Sequence, residues 1–500
     1  MRFKVSCALL LCLLCVSGVS GQDKKPPAPT KPENLKEVLS DSWHSINLGG
    51  KKLDYQATAG NLLLKEENGK VKASVFFIAY TKSVKDPSKR PIMFTFNGGP
   101  GSSSVWLHLG AFGPKKVLMT DKGDPLPPPY KLVDNEYSLL DQTDLVFIDP
   151  VSTGYSRPAP GQDKKQFHGV QEDVQTVGEF IRLYTTRFKR WDSPKYLAGE
   201  SYGTTRAAAL SNYLQDALGM NLNGVILVSS ILNFQTALFD DGNDLPYILF
   251  LPTYTATAWY HKKLSAELQG DLRQTLKEAE KFAQTDYALA LLKGNKLGAD
   301  KAREIAGRLA RYTGLSEDYI LRSNLRVPIG RFTRELLRGE RRSVGRYDSR
   351  YIGIDKDGVG DSPEYDPSYA AVQGAYTATL NTYLRNELKY ETDLPYEILT
   401  GKVKPWDFKA KNSYLNVSGS LRQAMTKNPH LRVFVANGYY DLATPYFATE
   451  HTVNHLGLDK SLTGNVTMAY YEAGHMMYLH KDSHRKLKQD LGKFLRNGDR

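Results

Sequence analysis

The sequence predicts an α/β fold, a mostly parallel central sheet flanked by helices and interrupted by a helical insertion. Three observations carry this. Short apolar runs recur at 144–149, 225–228 and 431–436, the pattern of strands buried on both faces. Helix-period segments separate them, such as 169–191 with Val174, Val177, Phe180, Ile181 and Tyr184 on one face. Between two of these runs, the extended stretch 195–198 meets a helix-like stretch at 205–214 through the pentapeptide Gly199-Glu200-Ser201-Tyr202-Gly203.

At the N-terminus, Arg2 and Lys4 precede an apolar stretch at 5–16 and the small residues Val19-Ser20-Gly21. This is the pattern of a secretory signal, expected over 1–21, and it places the protein outside the cell or in a periplasm. The apolar stretch is short for a membrane span, so no stable anchor is expected once the signal is cleaved. Cys7, Cys12 and Cys15 all fall in this segment. A mature chain without cysteine has no disulfides and no thiol chemistry, and a domain of this size holds together without them.

Residues 22–40 are Pro- and Lys-rich at first (Lys24-Lys25-Pro26-Pro27) and read as a flexible leader. Stretches 52–66 and 72–81 have hairpin character, and 91–96 is a strand ending at Asn97-Gly98-Gly99-Pro100-Gly101. From 233 to 369 the texture changes to charged helical segments, which predicts a mostly helical cap. The α/β domain then spans 41–232 and 370–500, with strands at 431–436 and 466–471 and a last helix at 483–496.

The formal net charge is +12, from 66 Lys and Arg against 54 Asp and Glu. These charges are scattered. The densest arginine stretch, 331–350, also carries Glu335, Glu340 and Asp348, so a solvated face is expected and no nucleic-acid partner.

A strand, a sharp Gly-x-Ser-x-Gly turn and a helix form a nucleophile elbow. A serine hydroxyl needs a base, and the base needs an orienter. On α/β-hydrolase folds the order is Ser, Asp, His, with the partners on loops after late strands. Asp441 follows the strand at 431–436, and His475 follows the strand at 466–471. Ser201, Asp441 and His475 are therefore the catalytic candidates. The N–H of Tyr202 and the glycine loop 97–101 are placed to form an oxyanion hole. The loop lacks the Gly-Lys-Ser/Thr ending of a phosphate site, and this chemistry requires no cofactor.

On these residues the chain resembles the serine carboxypeptidase family, and looks most like its bacterial secreted branch. The resemblance rests on Asn97-Gly98-Gly99-Pro100-Gly101-Ser102-Ser103, on 149–156 (Asp-Pro-Val-Ser-Thr-Gly-Tyr-Ser), on Gly199-Glu200-Ser201-Tyr202-Gly203, on Asp441, and on Ala473-Gly474-His475-Met476. It implies an α/β-hydrolase fold and hydrolysis of the C-terminal peptide bond of peptides. It implies Ser201 as nucleophile, His475 as general base and then acid, and Asp441 as its orienter. It implies Gly99 and Tyr202 in the oxyanion hole, with Asn97, Gly98 and Glu200 on the substrate's terminal carboxylate.

Glu200 fits that role only with a shared proton, since two ionised carboxylates in contact repel. Peptide affinity is then expected to improve at mildly acidic pH. The chain departs from the family where a second carboxylate-binding glutamate is usual. That position is Ala111, and the usual cysteine after Gly101 is Ser102. The missing glutamate keeps an esterase or acyltransferase on the same triad open. A silent binding protein on a hydrolase scaffold is a third reading, disfavoured by the intact triad.

Two smaller signals complete the sequence. The stretch 355–361 (Asp-Lys-Asp-Gly-Val-Gly-Asp) resembles part of a calcium loop but lacks the full ligand series, so a surface turn is expected. Asn416 and Asn465 begin formal glycosylation acceptors.

Overall fold

The computed structural model describes residues 35–496, and the signal expected over 1–21 lies outside them. Strand β1 (Leu39–Leu48) begins just inside the segment expected to be a flexible leader. Glu37 is already ordered there, accepting from Leu63 N–H at 2.9 Å and pairing with Arg187 at 2.6 Å.

β1, β2 (Lys51–Lys65) and β3 (Val71–Lys82) run antiparallel. β3 then pairs antiparallel with β5 (Asp144–Ile148). From β5 onward the sheet is parallel through β4 (Ile92–Phe96), β6 (Lys195–Ser201), β7 (Gly224–Ser230), β8 (Arg432–Gly438) and β9 (Val466–Tyr471). The order across the sheet is β1-β2-β3-β5-β4-β6-β7-β8-β9.

Strand side chains alternate between faces, and the core divides accordingly. Tyr196, Ala198, Ile226, Val228, Phe434 and Ala436 belong to one apolar layer. Their neighbours Leu197, Val225, Leu227, Val433 and Val435 belong to the other. The first layer is covered by α6 (Pro367–Asn386) and α9 (Lys481–Arg496). The second is covered by α1 (Val170–Arg187), α2 (Tyr202–Leu218) and α7 (Ser418–Lys427). Burial on both sides is why the central strands read as unbroken apolar runs.

Between β7 and β8, residues 233–369 hold α3 (Leu245–Tyr260), α4 (Leu272–Phe282) and α5 (Ala299–Thr313). They form a third apolar cluster, which includes Tyr440, Leu442, Tyr446 and Phe447 from the loop after β8 and from α8 (Tyr446–Asn454). These helices are thereby packed against the loop that carries Asp441.

The calcium-like loop is filled from within. Arg334, 2% exposed, pairs with Asp355 and donates to the carbonyls of Asp357 and Val359. Arg338 donates to the carbonyls of Gly358 and Gly360. Two guanidinium groups occupy the oxygens that a calcium loop would aim at its ion. No helix among the described residues is long and apolar enough to cross a membrane.

Candidate active site

β6 ends at Ser201 and α2 begins at Tyr202, with no loop between them. The chain turns at Ser201 itself, which has φ 60° and ψ −130°. A non-glycine residue there carries strain of about 1–3 kcal/mol, held by its surroundings. The flanking glycines make the turn possible. A Cβ at Gly203 would sit 2.7 Å from the Phe96 carbonyl, and one at Gly199 would overlap the Gly203 carbonyl. The serine stands at the N-terminus of a 17-residue helix, where negative charge is favoured.

His475 and Asp441 meet behind the serine. His475 Nδ1 lies 2.7 Å from Asp441 Oδ2, and both side chains are buried. Asp441 Oδ1 accepts from Ala443 N–H at 2.8 Å and Thr444 N–H at 3.0 Å. The Thr444 hydroxyl donates to Oδ2 at 2.7 Å. The His475 backbone N–H donates to the Tyr347 carbonyl at 2.6 Å. Burial pulls the imidazole pKa down, but the charge and hydrogen bond of Asp441 outweigh it, so the net shift is upward. No hydrogen bond within 3.5 Å joins Ser201 Oγ to His475, although both line one cavity.

The glycine loop lies against the elbow. A Cβ at Gly98 would overlap Tyr202 N, so the two backbones touch. Gly99 has φ 101°, a conformation that glycine adopts without strain. Asn97 ties the parts together. Its Nδ2 donates to Glu200 Oε1 at 2.9 Å, and its Oδ1 accepts from Leu107 N–H at 3.1 Å. Arg206 Nη1 donates to the Asn97 carbonyl at 2.6 Å, while Arg206 Nε pairs with Asp173 at 2.7 Å. Asp149 accepts from Ser104 N–H at 2.9 Å and so anchors the far end of the loop.

Glu200 is buried, and burial pushes its carboxyl up to about 7; the nearby Asp441 adds to the rise, against the effect of His475, Tyr478 and Asn97. Its Oε2 has no hydrogen-bond partner of good geometry. Ala111 is fully buried, and its carbonyl accepts from Asn135 Nδ2 at 3.0 Å and His484 Nε2 at 2.8 Å. The space beside this turn is taken by tyrosines: a Cβ at Gly110 would lie 2.5 Å from the Tyr376 hydroxyl and would overlap the Tyr478 ring.

The structure brings Asn97, Gly98, Gly99, Glu200, Ser201 and His475 to the wall of one cavity. Asp441 sits behind His475, fully buried. Tyr202 lies next to the cavity with its side chain turned inward and 2% exposed. Arg346, Tyr347, Tyr369 and Leu399 also line the cavity. These four, together with Arg206, Asp173 and Thr444, were not singled out from the sequence. They sit far from the motifs along the chain, and none lies in a spacing that signals its role.

The serine carboxypeptidase family model matches residues 50–488. Serine carboxypeptidase-like 34 of Arabidopsis thaliana is 28% identical over 198 residues, which is 36% of this chain and 36% of that protein. Serine carboxypeptidase-like 36 of the same plant is 23% identical over 388 residues, covering 76% of this chain and 67% of its own. The first curated relatives are thus matched over about a third to two-fifths of their length. Among solved structures, the chain is similar to Kex1(delta)p, a prohormone-processing carboxypeptidase from Saccharomyces cerevisiae. That likeness has a TM-score of 0.56 at 18% identity, over 89% of this chain and 92% of that one. The fold is an α/β-hydrolase fold, and the chain belongs to the serine carboxypeptidase family.

Proposed function

We propose that this protein is a secreted serine-type carboxypeptidase that removes the C-terminal residue of peptides. The observation that carries the reading is one cavity holding a strained serine, a histidine backed by a buried aspartate, and a buried glutamate clamped by an asparagine. Ser201 Oγ attacks the scissile carbonyl carbon while its proton passes to His475 Nε2. The oxyanion is stabilised by the N–H groups of Gly99 and Tyr202, at the positive end of α2. Collapse breaks the C–N bond, and His475 returns the proton to the leaving amine. Water, deprotonated by His475, then splits the acyl-enzyme ester and frees Ser201.

Asn97, the Gly98 backbone and a protonated Glu200 hold the substrate's terminal carboxylate. A carboxyl with its pKa near 7 carries the needed proton at mildly acidic pH. The helical segment 233–369 serves as a cap over the cavity. The N-terminal pattern supports export, and N-terminal sequencing of the mature protein checks cleavage near residue 21.

A peptide with a free C-terminus and its amidated twin test the reading. Release of the last residue from the acid alone is expected, and equal cleavage of both overturns it. Ala111, where the family usually carries a second glutamate, favours one further reading, an esterase or acyltransferase on the same triad. Turnover of esters with no peptide cleavage at any pH selects it.

A further inference from the structure

Arg346 is a cation without an anion. It is exposed, it lines the same cavity as Ser201 and His475, and no carboxylate pairs with its guanidinium within 4 Å among the described residues. Arg331, Arg334, Arg338 and Arg350 pair with Asp361, Asp355, Glu335 and Asp348, whereas Arg342 donates to the backbone carbonyls of Glu340 and Arg341. Among the arginines of 331–350, Arg346 is the one that lines the cavity. Asp366, which accepts from the Arg346 backbone N–H at 3.2 Å, directs the same oxygen to Ser368 N–H and hydroxyl.

The backbone under Arg346 is fixed. The Asp366 contact ties it to the N-terminus of α6, and its carbonyl accepts from Leu442 N–H at 3.1 Å, one residue beyond Asp441. The guanidinium stands over the Tyr347 ring at 5.5 Å, and that ring is 5.2 Å from the His475 ring. A planar fork held by stacking suits bidentate recognition of a carboxylate.

We propose that Arg346 is a further anion-recognising side chain of this cavity, beside Asn97 and Glu200, and that the preferred substrate presents a carboxylate to it. Two sources share this chemistry: the terminal carboxylate of a peptide and an acidic side chain beside the scissile bond. The inference rests on the hydrolase reading of the same cavity and adds the charge class of its substrate.

Four N-blocked substrates separate the possibilities: peptides ending Gln-Leu and Glu-Leu, and the ethyl esters of the blocked Gln and Glu residues. kcat/KM is measured for the wild type, Arg346→Met and Arg346→Lys. Arg346→Met is expected to lose roughly ten- to a hundredfold on anionic substrates and to stay within about twofold on the neutral Gln ester. Arg346→Lys is expected to recover part of the loss. Loss on both peptides but neither ester assigns the terminal carboxylate. Loss on both Glu substrates, with the Gln-Leu peptide spared, assigns the side chain. An equal loss on all four substrates, or no loss on any, overturns the proposal. If the wild type turns over esters but no peptide, the carboxypeptidase reading fails by itself, and the Glu and Gln esters still report on Arg346.

Discussion

Asp441 accepts hydrogen bonds from Ala443, from Thr444 twice, and from His475. It is thus held rigidly before it orients anything, and it keeps His475 Nε2 free to take a proton. Asp441→Asn is expected to lower kcat by about 10³–10⁴ with KM little changed, because the amide stabilises the wrong tautomer. A fall below tenfold would deny Asp441 its role. Glu200 and His475 favour each other's charged form: the imidazolium holds the Glu200 carboxyl down against burial, and the carboxylate holds the imidazole up. On the proposed reading Glu200 holds the substrate carboxylate only when protonated, so KM should rise as pH passes about 7. His475 acts as base only when neutral, so kcat should climb through a pH above the ordinary imidazole value. In Glu200→Gln the KM rise disappears, and the kcat limb moves to lower pH because a charge favouring imidazolium is gone. Unchanged pH profiles for both parameters would exclude Glu200 from the site.

Elements meet at the glycine loop, and there the buried Arg206–Asp173 pair links α1 and α2 to Asn97. Breaking one side of a buried pair leaves an uncompensated charge. Arg206→Met alone is expected to destabilise by about 3–5 kcal/mol. Adding Asp173→Leu removes the orphaned acid and should restore most of the urea midpoint. It should not restore kcat/KM, because the Asn97 carbonyl still lacks its donor. Recovery of both would mean that the pair serves stability alone. The elbow and the two late loops were legible in the sequence because their constraints are local. Ser201 needs glycines two residues to either side, and Asp441 and His475 each follow a recognisable strand. Arg206 was not legible, since its partners lie 33 and 109 residues away. Arg334 illustrates the same limit: the loop 355–361 has the composition of an ion site, and the cation that fills it comes from a helix elsewhere in the chain.

Over the whole molecule, two kinds of buried titratable group oppose one another. Burial lowers His108 and His484 to about 3, from an ordinary 6.5. A depressed histidine contributes stability that is present above pH 6.5 and lost as pH falls toward 3, where the unfolded chain takes the proton first. Burial raises Glu200 to about 7 from 4.5, and Asp149 to about 7 from 3.8. A raised carboxyl contributes stability that is present below its ordinary value and lost as pH climbs toward 7. Each of the four is of order 3–5 kcal/mol when fully expressed. Their windows overlap between about pH 4.5 and 6.5, with two groups of each sign. These four groups therefore predict a stability plateau across that interval, despite large individual shifts. The plateau can be taken apart. Glu200→Gln with Asp149→Asn leaves the histidines unopposed, so the urea midpoint should fall steadily from pH 6.5 to 4. His108→Gln unbalances the sum the other way, and the midpoint should fall as pH rises from 4.5 to 7. Slopes of opposite sign in the two variants establish the compensation. Flat profiles in both would show that these groups titrate in the native protein as they do in the unfolded chain.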